Sequence, residues 1–118
     1  MDNIKGNAYY LQKIMTDLQF VCKHTQNLTL QAFNANEVLQ DCLLFRLVQI
    51  AENSERLTED FKSVNSQVPW RYVKGMRNRI VHDYGKVDLQ VIYDTVTKDI
   101  PQMLSMLQDI VPLKTPEL

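Results

Sequence analysis

The chain has 118 residues, 45% of them hydrophobic and 23% charged, with a net charge of −1 and a sequence pI of about 6.1. That length fits a single domain over 1–118, and the charge excludes a protein that coats nucleic acid by charge alone. No apolar run approaches the roughly 18 residues of a membrane span, and "MDNIKGNAYY" lacks a basic segment followed by an apolar one, so the expected compartment is the cytoplasm, without membrane association.

Only 3 glycines and 4 prolines interrupt the chain, and its apolar residues recur at intervals of three and four, which predicts an all-α fold. Ile4, Ala8, Leu11, Met15, Leu18 and Cys22 form one stripe of a first helix. After "KHTQNLT" and a short "LQAFN", a second helix is expected to begin near Asn34 or Asn36, either of which can cap it, and to run to about Lys62. Its segment "CLLFRLVQIA" is apolar around much of its circumference, which suits either the centre of a bundle or a face against a second copy. Cys22 and Cys42 are expected to stay reduced, and they are too few for a metal site on their own.

"SVNSQ" reads as a loop, and Pro69 suits the start of the next helix, whose interior Gly75 weakens. Gly85 fits the position just past a helix end, and Asp88 can cap a last helix carrying Ile92, Val96, Ile100, Met103, Leu107 and Ile110 on one stripe. Pro101 should bend or break that helix. Residues 113–118 read as a flexible tail.

Charge is concentrated in 71–86, where Arg71, Lys74, Arg77, Arg79 and Lys86 stand against Asp83, a local +4 on a body of −5. At ~100° per residue from Val73, Ile80, Tyr84 and Arg77 fall within about 40° of zero, whereas Asn78 and His82 fall at about 140° and 180°. A site using both Arg77 and His82 therefore needs a deviation at Gly75 or near His82, a long reach by the arginine, or a second copy of the chain. Asn78 and His82, four residues apart, could pair so that the amide orients the imidazole. Taken singly, each residue has a structural role open to it. Arg77 suits an internal ion pair, His82 a cation at a helix end, Tyr84 a core position, and the other cations a solvated face. Neither His24 nor His82 sits at metal-ligand spacing, and no nucleophile elbow or glycine-rich phosphate loop occurs, so no metal or cofactor is expected.

The string Arg77-x-x-x-x-His82-x-Tyr84, with its flanks "VPWRYVKGMRNRIVHDYG", "VLQDCLLFRLVQIAENSERL" and "VDLQVIYDTVTKDIPQML", resembles the HepT-like branch of HEPN-domain ribonucleases over nearly the whole chain. The resemblance implies an antiparallel bundle of four to five helices that homodimerises. It also implies a metal-independent endoribonuclease, the toxin of a type VII toxin–antitoxin pair.

By the same resemblance, His82 is the general base or acid, Arg77 stabilises charge on the phosphorane and Asn78 orients. Tyr84 positions RNA and receives AMP from a nucleotidyltransferase antitoxin, with which the dimer forms a larger hetero-oligomer. Arg71, Lys74, Arg79 and Lys86 would attract RNA. A binding alternative makes the domain a non-catalytic partner of the nucleotidyltransferase, and a structural one makes the motif a dimer brace with Arg77 held by an acidic side chain.

Overall fold

A computed structural model describes residues 6–83 and 85–110. Ile4, Tyr84 and the tail at 113–118 lie outside the described residues. Four long helical rods carry the structure: α1 (Asn7–His24), α3 (Glu37–Glu55), α5 (Trp70–His82), and a final rod made of α6 (Leu89–Asp94), a wide turn (Thr95–Asp99) and α7 (Ile100–Ile110). Two short helices, α2 (Leu30–Asn34) and α4 (Glu59–Val64), lie between them. No strand occurs among the described residues, as the spacing of three and four predicts.

The rods pack in the order α5, α3, α1 and α7, so α3 has neighbours on two sides. Leu43, Leu47, Ile50 and Ala51 of α3 are buried, which accounts for the breadth of its apolar surface. Phe45 and Val38 of the same helix stay exposed, at 60% and 75%. On α1 the buried face is Leu11, Ile14, Met15, Leu18 and Val21, centred slightly away from the predicted stripe, and it leaves Ala8 exposed and Cys22 half-buried. Asp17, also buried, meets Arg46 of α3 at 2.7 Å, and the guanidinium lies 3.7 Å from the centre of the Phe20 ring. The charge is thus paired rather than stranded in the interface. Phe33 of α2 is fully buried, and Gln40 donates to the Phe33 and Asn34 carbonyls at 2.8 and 3.2 Å, satisfying the end of that short helix.

The second long helix is shorter than its sequence predicts. Asn36 caps its start through Leu39 N–H at 3.0 Å, but it stops at Glu55 rather than near Lys62. Asn53 and Ser54 bond back to the carbonyls of Gln49 and Ile50, at 3.0 and 2.8 Å, and the next N–H groups tighten to three-residue spacing. Thr58 then caps α4 by accepting from Phe61 N–H at 3.2 Å. Asn7 clasps Thr58 through both its oxygen and its nitrogen, at 3.0 and 3.1 Å, fixing α4 against the start of α1.

Two further expectations take definite form. α5 runs through Gly75 without a break. Pro101 stands just past an interruption of the regular helix, the wide turn: Ile100 N–H reaches five residues back to Thr95 O, giving the proline ring room that a regular helix denies. Ile92, Val96, Ile100, Met103 and Leu107 are all buried, and Ile110 is half-buried. Asp88 caps α6 through Gln90 N–H at 2.9 Å, and Gly85 takes the left-handed conformation, φ 91°.

Candidate active site

α5 is amphipathic: Val73 and Ile80 are buried against α3, and the basic residues lie on its remaining faces. The helix runs antiparallel to α3, so that Glu55 faces Lys74 at 3.6 Å and Glu52 faces Arg77 at 2.9 Å. Arg77 sits at the edge of the apolar seam, its side chain 35% exposed. Its Nε donates to Glu52 Oε2, and its Nη1 donates to Asn78 Oδ1 at 3.0 Å. These contacts hold the guanidinium plane in one place, and among the described residues its other N–H groups have no partner.

His82 is the last residue of α5 and is exposed. Since α5 is unbroken up to it, Arg77 and His82 stay about 140° apart around the axis. No hydrogen bond joins them among the described residues. Asn78 gives its amide oxygen to Arg77 rather than to His82. The pairing of Asn78 with His82 expected from their spacing loses to a neighbour that brings a charge-assisted bond.

The expected RNA-contacting cations fall in three places. Arg71 and Lys74 line a large open groove with Lys62 of α4, whereas Arg79 lines a smaller cavity with Tyr72, Val87 and Asp88 on the side of α6. Lys86 is exposed on the segment between α5 and α6. Glu52 and Lys62 escaped the reading of the sequence, because only the register of α3 and α4 against α5 selects them from the charged residues of those helices. No group of three or more His, Cys, Asp or Glu side chains able to hold a metal ion occurs among the described residues.

Behind α5, Tyr72 donates to Asp99 Oδ2 at 2.7 Å and shares a 3.1 Å hydrogen bond with Thr95, both in the wide turn. Burial pushes its phenol above the ordinary tyrosine range, and the Asp99 carboxylate adds to the rise.

A helical bundle with an Arg-x-x-x-x-His segment closing one long helix defines the class. Residues 14–110 match the family model described as Ribonuclease HepT-like, and the chain belongs to that family. A relative from Thermococcus cleftensis named "Probable ribonuclease HepT" is 30% identical over 99 residues, 84% of this chain and 90% of the relative. One from Caldanaerobacter subterraneus, whose name begins "Putative RNase", is 28% identical over 101 residues, 86% of this chain and 90% of the relative. No solved structure matches the chain. Among the described residues, no helix is long and apolar enough to cross a membrane.

Proposed function

We propose that the protein is a metal-independent endoribonuclease acting in the cytoplasm as the toxin of a type VII toxin–antitoxin pair. The observation that carries the catalytic reading is the guanidinium of Arg77, fixed by Glu52 and Asn78 with N–H groups to spare at the surface. A planar donor fork held in this way suits the charge that builds on a phosphorane. His82, exposed at the end of α5, takes the proton of a ribose 2′-hydroxyl or returns one to the departing 5′-oxygen. The 2′-oxygen attacks the adjacent phosphorus, the bond to the 5′-oxygen breaks, and the products are a 2′,3′-cyclic phosphate and a 5′-hydroxyl.

The angle between Arg77 and His82 favours a site completed by a second copy. Val81, 45% exposed, lies between them around α5, and it lines an apolar hollow of about 240 Å3 with Leu44, Phe45 and Val48 of α3. A two-fold pairing over this patch removes its apolar surface from water and brings the His82 of each copy toward the Arg77 of the other. Tyr84 is the AMP acceptor for a nucleotidyltransferase antitoxin. A nucleotide there adds bulk and negative charge within two residues of His82, which repels RNA phosphates.

The test is incubation of pure protein with RNA in EDTA. Arg77→Ala should lower the cleavage rate by about 10²–10³-fold and His82→Ala by about 10²–10⁴-fold, with the helical circular dichroism of each variant unchanged. Cleavage that requires added metal, or that survives both substitutions, overturns the reading. Loss of fold in Arg77→Ala would assign the ion pair with Glu52 a bracing role instead.

A further inference from the structure

The groove between α4 and α5 is open, with a volume of about 540 Å3, enough for a nucleotide. Three cations line it: Lys62, Arg71 and Lys74. Lys62 and Lys74 each stand 3.6 Å from a glutamate that also lines the groove, Glu59 and Glu55; the Lys62 side chain is 11% exposed and the Glu59 side chain 92%. Ion pairs this long are weak, and the partner of each lysine is in water, so an incoming phosphate competes with the two glutamates. Arg71 is exposed and has no carboxylate partner among the described residues. Ser63 and Ser66 add hydroxyls to the wall.

Trp70 also lines the groove, and its ring is fixed: the indole N–H donates to Asn65 O at 3.1 Å, and the ring meets Phe61 at a centroid distance of 6.2 Å. Cations beside a rigid aromatic ring are the pairing that holds single-stranded nucleic acid, phosphates on one and a base on the other. The groove also lies at the head of a row of polar residues. Arg71, Lys74, Asn78 and His82 recur at steps of three, four and four, one row along α5, and Arg71 stands about 16 Å from His82 along the axis.

We propose that this groove binds the single-stranded RNA flanking the scissile phosphate, with Lys62 and Arg71 on the backbone and Trp70 against a base. The proposal rests on the ribonuclease reading for what happens at His82, but not for binding itself. α5 then acts as a track, with the substrate anchored at its first turns and cut at its last.

Trp70 is the sole tryptophan of the chain, so its emission reports the groove directly. A short mixed-sequence single-stranded RNA titrated into the His82→Ala protein should change that emission saturably. Lys62→Ala with Arg71→Ala should weaken binding by about tenfold or more and reduce the slope of log K against log salt by about 0.7 per cation removed. If the double variant melts early, Arg71→Gln alone should show the smaller slope. RNA binding that leaves Trp70 emission and the salt slope of the variants unchanged overturns the proposal. So does a duplex RNA bound as well as the single strand, or a response to polyglutamate and not to RNA, which would give the groove to an acidic protein. Cleavage by the wild-type protein with a silent Trp70 refutes the groove alone; a responsive Trp70 without cleavage refutes the nuclease alone.

Discussion

An arginine offers five N–H donors, and at Arg77 one is engaged by Glu52 and one by Asn78. In the proposed mechanism Glu52 is a positioning residue, acting through the guanidinium it orients. Glu52→Ala should lower kcat by about tenfold with little change in KM, while Glu52→Gln, which keeps an acceptor, should retain most activity. Because both partners are at least a third exposed, the same substitutions should change stability by less than about 1 kcal/mol, measured by urea unfolding. Tyr72 gives a prediction of another kind. Its phenol is raised by burial and then by Asp99, so the folded state holds the proton more tightly than the unfolded chain. The stabilisation is complete below the ordinary tyrosine range, about pH 10, and is lost as pH rises through the folded value. Cys22, raised by burial, acts with the same sign from about pH 8.5. Unfolding midpoints should therefore fall in the alkaline range, and Tyr72→Phe should flatten the upper part of that fall.

At the scale of elements, the helices end where side chains compete for their backbone. Asn36 and Asp88 cap as their residue types and places announce. Thr58 was not legible in the same way, because "NSERLTEDF" contains no glycine or proline and every exposed residue in it is compatible with a continuing helix. The break comes instead from Asn53 and Ser54 folding back on α3, and from the clasp of Asn7 on Thr58, which joins residues 51 apart. Thr58→Ala removes both a cap and half of that clasp. It should cost about 1–2 kcal/mol and lower Tm by several degrees, read by thermal unfolding. The same variant loosens α4, and with it the Lys62 wall of the groove.

For the whole molecule, the four-rod bundle was readable from periodicity, and the family from the string around Arg77 and His82. The partners of those residues were not, since Glu52 meets Arg77 only through the antiparallel register of α3 and α5. Phe45 and Val81 are exposed, and the proposed pairing of two copies covers them. Phe45→Asp should yield a folded monomer by light scattering with cleavage strongly reduced, because a site drawn from two copies is then incomplete. Mixing inactive Arg77→Ala and His82→Ala proteins should restore measurable cleavage, which a site contained in one chain cannot do. The wide turn at Thr95–Asp99 has its own consequence at this scale. It holds one residue more than a regular helix needs for the same advance, as an extra tooth does in a gear. Loss of one residue elsewhere in the last rod would swing Met103 and Leu107 by about 100° out of the core. Loss of one here would leave Ile92, Met103 and Leu107 in phase and confine the disturbance to the turn itself, to buried Val96 and the bracket that Thr95 and Asp99 form around Tyr72. This is the point in the rod where a change in the length of the chain does least to the phase of the helix on either side.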